Sequence, residues 1–272
     1  MSQTTIAIAT IGSILTSLLY VYIGRVVRLR KVSADARLAN GMFVLWWHSL
    51  GALGFLGALM LVIYMAGGLE GRIWLYESYT TFVILVLFLA LWGLQFYLLY
   101  LYSGSRRWFM PLAVFYAVLF LLTEGLIESI GSPSEITDNG WQLKTLPEVE
   151  FGQAFNLAFM VLIVGPALVT AIAYARLFRK TEDRTQRYRI ALVTGAIIVW
   201  FGSSVIGTAL EVNDDLGWQL FSRVISILGA IVILMAYKPP RWVRERYRVH
   251  GVESETSQQP LSIPGLMPPR SP

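Results

Sequence analysis

The sequence predicts an all-α membrane protein, a bundle of seven transmembrane helices with its N-terminus outside and its C-terminus in the cytoplasm. Of its 272 residues, 56% are hydrophobic and only 14% are charged, whereas a soluble domain carries about 25% charged residues. The hydrophobic residues form runs of about 20, the length that a helix needs to cross a ~30 Å hydrocarbon core. Basic residues concentrate in alternate loops between these runs, which is typical of a multi-pass membrane protein.

The apolar segments follow one another along the whole chain. They occupy residues of about 5–24, 41–66, 79–102, 110–130, 151–174, 190–210 and 218–236. Segment one has no basic region before it and no small-residue cleavage site after it, so we expect a retained helix rather than a signal peptide. Segment two carries Gly51, Gly54 and Gly57 at a spacing of three, which predicts a smooth face for close helix packing.

The end of the chain differs from the rest in composition. Residues 1–248 form the predicted membrane domain, and its last part, 238–248, is strongly basic. We expect this part to be a short surface helix, with Trp242 and Val243 toward lipid and the arginines toward headgroups. Residues 249–272 are rich in Pro, Ser and Gln, which predicts a disordered cytoplasmic tail.

The charges of the loops predict the orientation. Loops one, three and five and the tail are basic, whereas loops two, four and six are neutral or acidic. Of the 22 Lys and Arg, only Arg72, Lys144 and Arg223 fall on the outer side if the N-terminus is outside. We therefore expect a plasma-membrane protein whose partners are the bilayer and, at the basic inner loops, anionic lipid headgroups. The same distribution argues against nucleic-acid binding, because the charges follow the loops rather than one groove.

Polar residues converge in the outer half of the predicted bundle. Glu124 and Glu128 lie four residues apart on segment four and so share one helix face. A carboxylate in lipid is costly, so this face should look into the protein or toward water. The polar residues at this depth are Glu124, Glu128, Glu211, Arg223, Gln153 and Asn156. They predict an outward-facing cavity that binds a small ligand or ion; the alternative is an ion pair of Arg223 with Glu124 or Glu211 that joins helices.

His48 is the one histidine inside the predicted bundle, in the inner half of segment two. It is a candidate proton relay, and the alternative is a hydrogen bond to a neighbouring helix. Haem with two histidine ligands would need a second histidine, and the chain has no cysteine. We therefore expect no cofactor and no metal site. An enzyme is the least supported class, because no nucleophile–base motif is present.

Segments three and seven can be compared with the motifs of known seven-helix proteins. Segment seven, WQLFSRVISILGAIVILMA, has no lysine for a retinal Schiff base, and segment three ends in LYLYSGSRRW without the acidic-Arg-aromatic triplet of animal receptors. The topology, with the exit AYKPPRWVRER, resembles the seven-helix N-terminal sensor regions of bacterial signalling proteins. That resemblance implies a sensor or receptor and a cytoplasmic signalling partner.

Three functions follow from these observations. The first is a sensor-like or receptor-like membrane protein that binds a small ligand or ion in the outer cavity. The second is a proton-coupled or small-solute transporter, in which Glu124 titrates and His48 continues the path inward. The third is an accessory subunit that associates with other membrane subunits. The largely apolar midplane favours the sensor over the transporter, because a path needs polar groups at several depths.

Overall fold

The computed structural model describes residues 3–30, 32–66, 73–130, 181–209 and 216–249, with 172, 174–176 and 178–179. These residues are helical apart from short connections, and no strand occurs among them. The all-α class is therefore confirmed. The helices are α1 (Gln3–Arg28), α2 (Arg37–Met65), α3 (Ile73–Ser103), a 3-10 turn (Arg106–Trp108), α4 (Phe109–Ile130), α5 (Arg184–Ala209), α6 (Leu216–Tyr237) and α7 (Arg241–Tyr247).

These helices correspond to the apolar segments in order. Helices α1 to α4 cover segments one to four, α5 covers most of segment six, and α6 covers segment seven. Segment five lies outside the described residues except at its end, where Ile172 and Tyr174 are helical. Helices α2 and α3 begin several residues before their apolar runs, because hydropathy marks the part of a helix suited to lipid and not the extent of its backbone hydrogen bonding.

Several helix ends have a clear local cause. Gly104 follows α3 in the left-handed conformation, with φ 65°, which glycine adopts readily and which ends helices. Asp183 precedes α5 and accepts hydrogen bonds from the backbone N–H groups of Thr185 and Gln186 at 3.3 and 3.0 Å. A side-chain acceptor at this position satisfies amides that have no partner within the helix. Pro239 and Pro240 separate α6 from α7, since proline cannot continue the helical hydrogen bonding.

Four of the described helices are long and apolar enough to cross a membrane. They are Ala7–Arg28, Arg37–Ile63, Thr81–Tyr100 and Arg106–Gly125. A fifth candidate is the pair Phe221–Tyr237 and Arg241–Tyr247, which is bent by 58° at the prolines. The outward face of α4 shows the character expected in lipid, because Val114, Val118 and Leu121 are exposed.

The helices pack in a simple order. Helix α4 packs on α3, α3 on α2, α2 on α1, α1 on α6, and α6 on α5. The largest apolar cluster brings together residues of these central helices, including Ile23, Trp47, Leu94 and Ile233. The predicted close packing of the glycine face of α2 is confirmed at two positions. A Cβ on Gly51 or Gly54 would run into Val21 or Ser17 of α1, whereas a Cβ on Gly57 would meet nothing within 4 Å.

The basic loops meet at one end of the bundle. Arg106, after α3, donates hydrogen bonds to the carbonyl oxygens of Ala34 and Asp35 in loop one, at 2.9 Å each. Arg189 near the start of α5 donates to the carbonyl oxygen of Ala236 near the end of α6, at 3.3 Å. Loops one and three, the start of α5 and the end of α6 therefore lie together, as the alternation of charge requires.

Helix α7 lies at this same end and differs in part from the expectation. Trp242 is 59% exposed, but Val243 is only 1% exposed. The expected lipid-facing position is therefore wrong for Val243, which packs into the protein because α7 folds back beyond the prolines. Tyr247 stacks on Tyr188 of α5, with ring centroids 6.5 Å apart. Val249 is also buried, and the remainder of the predicted tail, 250–272, lies outside the described residues.

Candidate functional site

Glu124 lies on α4 where that helix packs against α3. The hydroxyl of Thr81 on α3 donates a hydrogen bond to its Oε2 at 2.7 Å. The other carboxyl oxygen, Oε1, is buried and has no hydrogen-bond partner among the described residues. Thr81 therefore fixes the carboxyl group in one orientation, and half of its hydrogen-bonding capacity is left toward the protein interior.

An unpartnered carboxyl oxygen has definite chemical consequences. A buried polar atom without a partner costs about 1–3 kcal/mol, and more if it carries charge. A cation or a hydrogen-bond donor in the space beside Oε1 removes this cost, whereas a proton on Oε1 removes the charge and leaves an O–H group that needs an acceptor. The geometry of Glu124 therefore suits an acceptor for a proton, a small cation or a donor group on a ligand.

Arg223 lies on α6 and is half-buried. Its Cβ is 3.9 Å from the position that a Cβ on Gly12 would take, an ordinary contact distance, so the arginine lies beside α1. Tyr20 on α1 and Tyr79 on α3 lie within electrostatic range of the guanidinium. Tyr20 also hydrogen-bonds to Ser226, one turn further along α6. We call this group, Arg223 with Tyr20, Tyr79 and Ser226, the arginine niche.

The side of α1 toward its neighbours carries buried hydroxyls. Thr16 donates to the carbonyl oxygen of Gly12 at 2.8 Å, and Ser17 donates to that of Ser13 at 2.7 Å. Hydroxyls that bond back to the preceding turn are typical of small residues at close helix contacts. We therefore assign Thr16 and Ser17 a role in helix packing. Helix packing of this kind does not explain the arginine niche.

Helix α3 separates Glu124 from the arginine niche. Tyr79 and Thr81 are two residues apart, and two residues turn a helix by about 200°, so these side chains point to nearly opposite sides. Among the described side chains, the one ion pair joins Arg106 to Asp35, at 3.5 Å. No ion pair joins Glu124 to Arg223 among them. The alternative of a Glu124–Arg223 ion pair is therefore not found.

The other members of the predicted outer cluster cannot be placed in the same way. Glu128 belongs to the last turn of α4, but its side chain is outside the described part of the chain. Glu211, Gln153 and Asn156 also lie outside the described residues. Their membership in a common site stays a prediction.

His48 lies away from Glu124. A Cβ on Gly24 of α1 would be 3.0 Å from the His48 Cε1 atom, so the imidazole packs directly against the α1 backbone. Phe43, Trp46 and Leu94 belong to the apolar core between α2 and α3, and Glu124 is bonded on the α3–α4 side. This arrangement disfavours a hydrogen-bonded path between the two, and a relay through His48 stays a prediction.

His48 instead lines a cavity that sequence reasoning did not identify. The cavity has a volume of about 820 Å³ and lies between the end of α1 and the start of α2. Arg28, Arg30 and Arg37 also line it. These arginines were predicted to lie in basic loop one, as a topology signal and a surface for anionic headgroups, but no cavity was predicted there. Thr81 and the tyrosines of the niche were likewise missed, although their depth matches that of Glu124 and Arg223.

Comparison with known proteins does not identify the chain further, since no protein-family model, curated protein or solved structure matches it. Within the described part of the chain, no group of three or more His, Cys, Asp or Glu residues is placed to hold a metal ion. The fold and the site together define a class: a helical bundle with several helices apolar enough to span a membrane, a half-satisfied acid on α4, and a separate arginine niche.

Proposed function

We propose that this chain is a seven-helix plasma-membrane protein, N-terminus outside, that acts as a sensor or receptor. It binds a small cation, a proton or a ligand with a donor group at Glu124, in the outer half of the bundle. The observation that carries this proposal is Oε1 of Glu124, which is buried and has no hydrogen-bond partner among the described residues. Glu128, Glu211 and Asn156 complete the proposed outward-facing cavity on the side of α4, whereas Arg223 acts from the separate arginine niche on the other side of α3.

Helix α3 is the element through which occupancy at Glu124 would be transmitted. Its residue Thr81 holds the Glu124 carboxyl group, and its residue Tyr79 lies within electrostatic range of Arg223. A ligand that binds more tightly when α3 and α4 take one relative position shifts the population toward that position. The same movement of α3 changes the surroundings of Arg223, and the basic inner loops report the change to a cytoplasmic signalling protein or to anionic lipid.

The test is ligand-dependent thermal stability of the full chain in nanodiscs. A ligand that binds only the folded state stabilises it by RT ln(1 + L/Kd), where L is the free ligand concentration, so Tm rises with the logarithm of ligand concentration above Kd. We expect added Na⁺, K⁺ or Ca²⁺ to raise Tm, and Glu124→Gln to abolish that rise. Glu245→Gln is the matched control, since Glu245 is exposed on α7 at the other end. An unchanged response in Glu124→Gln would contradict the proposed site.

The competing function, a proton-coupled or small-solute transporter, is separated by a flux assay. Protein in liposomes is subjected to a pH jump, and proton entry is followed in wild type and Glu124→Gln. Flux that the substitution abolishes would replace the sensor by a transporter. No flux and no ligand-dependent stabilisation, together with co-purification of other membrane proteins, would instead favour an accessory subunit.

The proposed topology has its own test, because the chain contains no cysteine. Single cysteines are introduced at Ser33 and Glu182 in basic loops and at Glu70 and Asp138 in the others. A membrane-impermeant maleimide applied to intact cells should label the cysteines at 70 and 138, and should label those at 33 and 182 only after permeabilisation. The reverse pattern would refute the orientation.

A further inference from the structure

The cavity at the basic end of the bundle combines positive charge with an apolar wall. Its volume is about 820 Å³, within the range of about 300–1,000 Å³ that is typical of small-molecule sites. Arg28 and Arg37 are exposed to it, and Arg30 is partly buried, with its guanidinium 5.7 Å from the centre of the Tyr237 ring. No acidic residue lines this cavity within the described chain. Asp35, in the connecting loop, is paired with Arg106 instead.

One face of α2 forms the long wall of the cavity. Arg37, Gly41, Val44 and His48 recur every three or four residues, so they lie along one side of the helix. This face extends for roughly 16 Å, at 1.5 Å per residue. The wall is open at Gly41, where a Cβ would meet nothing within 4 Å. The charge lies at the start of α2, and the apolar part continues toward the middle of the bundle.

The start of α2 adds a second attraction for an anion. Ala36 occupies the capping position, and no side chain caps the helix there. The first backbone N–H groups of a helix point outward along its axis and carry partial positive charge, which favours a bound phosphate. In α2 these groups are flanked by the guanidinium groups that line the cavity.

We propose that this cavity binds one anionic phospholipid. Its phosphate contacts Arg28, Arg37 and the first turn of α2, and one acyl chain follows the wall at Gly41, Val44 and Leu45. A free phosphate would satisfy the arginines but would leave the apolar part of the wall, at Gly41, Val44 and Leu45, without a partner, whereas an acyl chain covers it. This inference depends on the proposed place of the bundle in a bilayer, but not on the proposed site at Glu124, so either can fail alone.

The test is native mass spectrometry of the full-length protein titrated with defined lipids. The probes are phosphatidylglycerol, phosphatidylcholine of the same acyl chains, and inorganic phosphate. Gly41→Phe fills the cavity from a position with free space, and Gly57→Phe is its control on the same helix. Arg28→Gln with Arg37→Gln removes two charges from the cavity. Arg241→Gln with Arg244→Gln removes two exposed charges from the same end of the bundle.

We expect one phosphatidylglycerol to bind in preference to phosphatidylcholine, and binding to fall by about tenfold or more in Gly41→Phe and in the Arg28/Arg37 pair. Both controls should bind within about twofold of wild type. Arg37→Lys checks folding and should retain partial binding, because lysine keeps the charge but not the forked geometry. Equal affinity for the two lipids, equal losses in the controls, or competition by phosphate alone at equal concentration would overturn the proposal.

Discussion

Replacing Gly93 with alanine tests the packing of α2 against α3, on which the placement of the whole site depends. Gly93 lies on α3, and a Cβ there would be 2.6 Å from the carbonyl oxygen of Met42 and 3.3 Å from the backbone nitrogen of Trp46, both on α2. These atoms belong to a helix backbone and cannot rotate away as a side chain can. The added methyl group therefore forces the two helices apart.

The size of the effect follows from these distances. Carbon–oxygen contacts are ordinarily about 3.3–3.6 Å, so Gly93→Ala requires α2 and α3 to separate locally by about 0.7–1.0 Å. Overpacking of this kind costs about 1–3 kcal/mol, and the higher helix propensity of alanine offsets about 1 kcal/mol of it. We expect a net loss in the free energy of unfolding of up to about 2 kcal/mol.

The assay is equilibrium unfolding of the purified protein in mixed micelles with increasing SDS, followed by helical circular dichroism. Gly57→Ala is the matched control, because Gly57 lies on α2 with nothing within 4 Å of an added Cβ. It should stabilise the protein by up to about 1 kcal/mol, from helix propensity alone. The same chemical change should therefore act with opposite sign at the two positions. If the Gly93→Ala variant proved as stable as the Gly57→Ala variant, the close approach of α3 to α2 would be refuted.

Three further predictions follow from single contacts. Thr81→Val should lower the free energy of unfolding by about 1–3 kcal/mol, because the Glu124 carboxyl group loses its donor. The same SDS titration measures this loss in wild type and in the Glu124→Gln variant. An equal loss in both backgrounds would contradict the prediction. Arg106→Ala should speed proteolysis and amide exchange of loop one. Arg106→Lys should not restore protection, since the bonds to Ala34 and Asp35 come from two guanidinium nitrogens, Nη2 and Nε. Full protection in the lysine variant would argue against that role. Val243→Asp should release α7 and expose it to trypsin, whereas Trp242→Asp, at a 59% exposed position, should not; equal cleavage of both would contradict the burial of Val243.

The features that the sequence predicted best are those that depend on position along the membrane normal, namely the helices and the end of the bundle at which each loop lies. Apolar runs locate the described helices, because crossing a hydrocarbon layer needs a fixed length of apolar chain. The alternation of loop charge also foresaw which ends lie together, and the contacts of Arg106 with loop one and of Arg189 with α6 agree with it. Both properties are one-dimensional, so a single sequence is sufficient to show them.

The rotation of each helix about its axis could not be predicted from the sequence. Glu124 and Arg223 were expected at a similar depth, and an ion pair of Arg223 with Glu124 or Glu211 was an alternative based on depth alone. The structure pairs Glu124 with Thr81 and sets Arg223 against Tyr20 and Tyr79, on the other side of α3. Segment three is apolar on nearly every side, so its pattern does not indicate which face meets which neighbour. That information comes from packing, chiefly from close contacts such as that of Gly93 in α3 with the backbone of α2.

The arginines at the inner end therefore have different structural roles. Arg106 bonds the carbonyl oxygens of loop one, and Arg189, which is buried, bonds the carbonyl oxygen of Ala236. Each supplies a donor to a backbone oxygen at a turn or helix end, where carbonyl groups lack partners within the helix. Such arginines would be retained for the fold even without a membrane potential or anionic lipid. Arg28 and Arg37 are exposed to the cavity instead, and they are the pair whose removal should change lipid binding more than it changes stability.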